Sequence, residues 1–193
     1  DSLMNERLTF ETPYERAGVI TSGLSILAPG VERYAIPGGG SRAVSIDSGD
    51  EISVLDREGL QGGELVFFAP DGTSDAGMIG AKKGENASGL ISTLKENEPS
   101  ARRVARALAA AGFDIGRAEA VKIFERGSKP GDTETFHASR DGLLIVCAPG
   151  TSMKPDGQNP PTELILYVRR ANQRQHEDGR NPPDPLADPL SDF

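Results

Sequence analysis

Hydrophobic and polar positions alternate in short runs along most of the chain, and the runs end at glycine- and proline-bearing turns. The clearest succession lies in 36–69. Gly38, Gly39 and Gly40 make a turn, and Ala43, Val44, Ser45 and Ile46 alternate after it. Asp47, Ser48, Gly49 and Asp50 form a polar corner, followed by Ile52, Ser53, Val54 and Leu55. A second break from Gly59 to Gly63 precedes Leu65, Val66, Phe67 and Phe68. Period-two runs with turn residues at each corner predict three short strands in a β-meander.

The flanking chain extends this pattern. Residues 17–29 carry Val19, Ile20, Leu24, Ile26 and Leu27 between glycines, which suits one or two strands, and 31–36 suits another. Between 71 and 94 the pattern weakens, with Gly77, Gly80, Gly84 and Gly89 interrupting it, and a long loop is expected. Residues 99–111 predict a helix: Asn97 or Glu98 can cap it, Pro99 suits its first turn and Gly112 its stop. Ala101, Val104, Ala105 and Leu108 fall at helical spacing and form its apolar face. Arg102, Arg103 and Arg106 lie mostly off that face, either as an anion-binding surface or as a solvated one. Strands follow at 120–124, 133–138 and 164–168, and the apolar run 143–148 predicts a central strand buried on both faces. The fold class is therefore α+β and β-rich: a barrel or sandwich of short, mostly antiparallel strands with one main helix at 99–111. Residues 1–28 form a lead-in with the first strands, 29–170 the β-rich domain, and 171–193 an acidic, proline-rich tail or linker.

Composition narrows the function. The 193 residues suit one domain or one domain with tails. A formal net charge of −8 argues against nucleic acid and anionic membrane surfaces as partners. No apolar run approaches the roughly 20 residues that span a bilayer, and no signal peptide is visible. The one cysteine, Cys147, leaves no intramolecular disulfide, and a cytoplasmic location is expected.

The candidates for chemistry are few. No phosphate loop and no Gly-x-Ser-x-Gly elbow is present. Of the histidines, His137 falls in a strand and His176 in the polar tail. Cys147 lies inside an apolar strand, where it is either a small core residue or a metal ligand. Asp56, Glu58 and Glu64 flank the second break of the 36–69 stretch, with Gln61 between them. They are either ordinary turn residues or the polar floor of a pocket for a small-molecule ligand, and in that pocket Asp56, Gln61 and Glu64 are the catalytic candidates.

The runs Ile36-Pro37-Gly38-Gly39-Gly40 and Asp56-Arg57-Glu58-Gly59-Leu60-Gln61, with acidic Glu64 beyond, resemble the urea-carboxylase-associated domain family. So do the turn Gly127-Ser128-Lys129-Pro130-Gly131-Asp132, the strand 142–148 and the segment Pro161-Thr162-Glu163-Leu164. The resemblance covers 29–168. It implies C–N bond chemistry on small nitrogen compounds, as in carboxyguanidine deiminase subunits. A similar domain precedes an aminomethyltransferase-like domain in trimethylamine N-oxide demethylase. Catalytic members are expected to hold a metal through cysteines, one of them in a His-x-x-Cys motif. Here Asn97 and Ser100 stand at that motif, and Cys147 is the remaining candidate ligand. The resemblance thus implies a binding or scaffolding member with no cofactor, acting with a partner subunit or a fused aminomethyltransferase-like domain. The alternative it leaves is an enzyme cleaving C–N bonds of a small amine or amidine in a carboxylate-lined pocket, with zinc or iron as cofactor.

Overall fold

The computed structural model describes residues 27–95, 99–125, 127–150 and 160–172. The strands expected before residue 27, the cap at Asn97 or Glu98, His176 and the tail lie outside the described residues.

Within them the chain forms two antiparallel sheets stacked as a sandwich, with helices on one outer face. Strands β1 (Val31–Ile36), β2 (Ser41–Ile46), β3 (Glu51–Asp56) and β4 (Gly63–Phe68) come first. Then follow β5 (Glu85–Asn86), helices α1 (Ser88–Lys95) and α2 (Pro99–Ala111), β6 (Glu119–Ile123), β7 (Asp132–His137), β8 (Gly142–Cys147) and β9 (Leu164–Arg169). The smaller sheet has the order β1-β9-β3-β7 and the larger β2-β8-β4-β6-β5. Both sheets remain open among the described residues, so the architecture is the sandwich and not the barrel.

The two sheets bury different amounts of surface. In β3 the side chains alternate between fully buried and partly exposed, because one face of the smaller sheet meets solvent. In β4 every residue is buried. Leu65 and Phe67 face the inter-sheet core with Ile36, Ile52, Val54, Leu144 and Leu166. Val66 and Phe68 face the helices with Leu90, Val104, Leu108 and Ile145. Phe68 stacks on Phe113 with ring centroids 4.8 Å apart, closing that second layer at the end of α2.

The strands of 36–69 form where the alternation places them, but they do not form a meander. β2 and β4 both flank β8, whereas β3 lies in the other sheet between β9 and β7. Period-two patterning decides which side chains point inward and leaves the partner strand open. The corner after β2 crosses between sheets instead of folding back as a hairpin. The 71–94 stretch holds a second helix, α1, instead of one long loop. In α2, Ala101, Val104 and Leu108 are buried as expected, but Ala105 is exposed. Arg102, Arg103 and Arg106 are exposed.

Candidate functional site

The turn segments picked out in the sequence converge at one end of the sandwich, where hydrogen bonds join them. Asp56 ends β3 and is fully buried. It accepts hydrogen bonds from the backbone N–H of Gly59 at 2.9 Å, from that of Gln61 at 3.0 Å, and from the Ser128 hydroxyl. Its backbone carbonyl accepts from Gly131 N at 2.7 Å, and Leu60 N donates to the Ser128 carbonyl at 3.0 Å. The turn after β3 is thereby locked to the 127–132 turn before β7.

Gln61 extends the lock to two further segments. Its Oε1 accepts from Thr162 N at 2.8 Å, and its Nε2 donates to the carbonyl of Pro149 at 3.2 Å. The turn between β1 and β2 joins from the other side. A Cβ at Gly38 would overlap the Pro161 carbonyl, so only glycine lets the two backbones approach there. Asp56 and Gln61 are thus brought together, as neighbours in a structural interlock.

Glu64 faces a different partner. It is 4 % exposed, and its two carboxylate oxygens accept from Gly89 N at 2.8 Å and Leu90 N at 2.9 Å. These N–H groups open α1, so β4 supplies the cap that the helix lacks locally. A Cβ at Gly89 would lie 2.7 Å from Glu64 Cδ, which makes glycine the residue that admits the carboxylate. The cap explains why α1 was invisible as a sequence pattern: its stabilising acid lies 25 residues upstream of Gly89.

Glu64 also belongs to a row across the larger sheet. It stands opposite Cys147 in β8 and Lys122 in β6, and Cys147 stands opposite Ser41 in β2. Cys147 is fully buried, with Sγ 3.0 Å from the Thr93 hydroxyl of α1. A thiolate-held metal would need several soft donors converging on one point. Among the described residues no three His, Cys, Asp or Glu side chains come together in that way. Among the described residues, the donors around Cys147 are therefore fewer than such a centre needs. His137 is exposed on β7, its Nε2 3.5 Å from Glu51 Oε2.

A charged cluster at the other end of β3 gave no motif. Arg170 pairs with Glu32 through two contacts, 2.9 Å and 2.7 Å, and donates to Asp50 Oδ2 at 2.7 Å. Tyr34 also donates to Glu32, at 2.6 Å. The Arg170 hydrogen bonds hold the Glu32 carboxyl below its ordinary value, and Glu32 with Asp50 pushes the guanidinium upward. Burial, then the Glu32 hydrogen bond, raises the Tyr34 phenol. Pairs far apart in sequence carry no local signal.

Comparison with known proteins adds a relationship. The chain is 37 % identical over 181 residues to a protein named trimethylamine-oxide aldolase from Ruegeria pomeroyi. The match takes in 94 % of this chain but only 23 % of that protein, so the chain spans less than a quarter of the relative's length. No family profile matches the chain. A crystal structure of a DUF1989 family protein from Silicibacter pomeroyi aligns with a TM-score of 0.42 at 13 % identity, over 74 % of this chain and 80 % of that one. The chain is thus related in sequence to a domain-sized part of a larger bacterial protein. The urea-carboxylase-associated name rests on the motifs alone. No described helix is long and apolar enough to cross a membrane.

Proposed function

We propose that the chain is a binding or scaffolding domain that works beside a second domain or subunit in small-amine metabolism. The observation that carries this reading is the engagement of Asp56 and Glu64 by backbone N–H groups. A general base needs a carboxylate oxygen open to the substrate proton within hydrogen-bond reach. Here both carboxylates are committed to holding loops and a helix end. The relative's name, an aldolase of trimethylamine oxide, supports the metabolic setting. Its much greater length supports a division of labour in which chemistry resides outside the matched segment. The test replaces the matching segment of the relative with this chain and follows the N-methyl proton signal of trimethylamine oxide by NMR. The hybrid is expected to consume the compound and the isolated chain to leave it intact. Turnover by the isolated chain would overturn the reading.

One observation favours a second reading, an enzyme cleaving a C–N bond of a small amine or amidine. Glu64 borders a pocket of about 230 Å³ together with Ser88, Gly89, Lys122 and Glu125. In that case the isolated chain, supplied with zinc or iron, turns over its substrate, and Glu64→Gln lowers the rate by about a hundredfold or more.

A further inference from the structure

An apolar groove of about 550 Å³ opens between the last turns of α2 and the larger sheet, at the end of that sheet away from Glu64. Ala107, Ala110 and Ala111 form its helix wall, and Pro70, Phe113 and Leu143 supply most of the remaining apolar lining. Phe113 and Leu143 are only partly buried, so apolar surface stays open to a ligand. The Phe113 ring is held in place by its stack on Phe68.

The charges that border this groove are all of one sign. Asp47 and Asp141 stand at it, one step beyond the paired residues Ile46 and Gly142 at the ends of β2 and β8. Alternation along both strands puts them on the helix side. Ala43 and Leu143 pack with the helix-side cluster, whereas Val44, Ile46 and Leu144 pack in the inter-sheet core. The N–H of Ser48, next to Asp47, donates to Asp141 Oδ1 at 2.7 Å and ties the two segments together. Like charges set opposite each other on neighbouring strands are unfavourable. Yet neither aspartate has an ion-pair partner among the described residues, and no lysine, arginine or histidine lines the groove. Arg140, beside Asp141 in the chain, is engaged with Asp71 at 3.5 Å. The carbonyl end of α2 adds a negative dipole, with no basic residue in its last turn. Apolar walls beside uncompensated negative charge call for an occupant that is cationic at one end and apolar at the other.

We infer that this groove binds an organic ammonium ion with a bulky apolar body. Its N–H groups donate to Asp47 and Asp141, and its body lies against Phe113, Leu143 and the alanines of α2. A groove of this volume suits a body well above the size of a methylamine. The inference goes beyond the function proposed above, because the groove shares no residue with the Asp56, Gln61 and Glu64 groups.

The test titrates the full chain at low salt with benzylammonium, methylammonium and benzoate, read by ligand-observed NMR. Benzylammonium is expected to bind, methylammonium to bind at least about tenfold more weakly, and benzoate not to bind. Asp47→Asn and Asp141→Asn should each weaken benzylammonium about tenfold. Glu85→Gln, which removes an exposed carboxylate outside the groove, should leave the affinity unchanged. Ala110→Lys brings an ammonium group to the groove from the chain itself and should abolish binding. All four positions are exposed, so the variants should melt close to the parent chain. No benzylammonium binding at about 10 mM would overturn the inference. So would benzoate or methylammonium binding as tightly, unchanged affinity in both aspartate variants, a loss in Glu85→Gln equal to theirs, or full binding in Ala110→Lys.

Discussion

Strand β3 has a buried aspartate at each end, and the two are satisfied in opposite ways. Asp50, just before the strand, meets a full positive charge on Arg170, besides the N–H groups of Asp47 and Ala171 at 3.0 Å and 2.8 Å. Asp56, the last residue of the strand, accepts from two N–H groups and a hydroxyl, all neutral. Both are fully buried. The first end relies on a long-range ion pair that fastens β9 to the rest of the smaller sheet. The second relies on turn geometry, in which the chain folds its own dipoles around a charge. An ion pair fails when its partner is removed, whereas a dipole cage fails when the loop loses its shape.

That contrast can be broken from either side. The largest loss is expected for Arg170→Ala, which strands Asp50 and releases Glu32: about 3–5 kcal/mol, read from urea unfolding. Asp56→Ala is expected to cost about 3 kcal/mol by the same measurement, since it leaves two N–H groups and the Ser128 hydroxyl unpaired. Added salt should lower the stability difference between parent and Arg170→Ala more than that between parent and Asp56→Ala. Glu64→Ala should cost about 2 kcal/mol, and hydrogen exchange should quicken first at the α1 amides.

The smallest effect is a pH dependence confined to the charged end. The folded-state pKa of Glu32 lies below its ordinary 4.5, so the unfolded chain binds the proton more tightly. Its contribution is therefore complete above that value and lost as pH falls through the lower, folded pKa. The Glu32 side chain is 39 % exposed, which keeps the effect small. Acid titration of the melting temperature should show this loss in the parent chain and a flatter curve in Arg170→Ala.

The six-residue strands, β6 and α2 were legible in the sequence because their signals are local, whereas the two-residue β5 was not. Alternation in β3 and the unbroken apolar run of β8 reflect one-sided and two-sided burial, and each is written in consecutive residues. What pairs with what is not written there: β2 and β3 share a corner yet join different sheets. Helix α1 escaped because Gly89 weakens its pattern and Glu64 caps it from another strand. The candidate residues Asp56, Gln61 and Glu64 were legible as a polar group beside glycines. Their partners were not: Asp56 and Gln61 join turns that meet from distant parts of the chain, while Glu64 caps α1 beside a small pocket. The short motifs that resemble a known family meet in space because they hold one another's backbones, so likeness at those positions carries information about shape.

Cys147 has a practical consequence. It is the single thiol of the chain, buried in the strand between β2 and β4, beneath α1. A thiol reagent can reach it only when that layer comes apart. The rate at which the intact chain is alkylated therefore works as an internal clock for opening of the larger sheet, and it needs no engineered label.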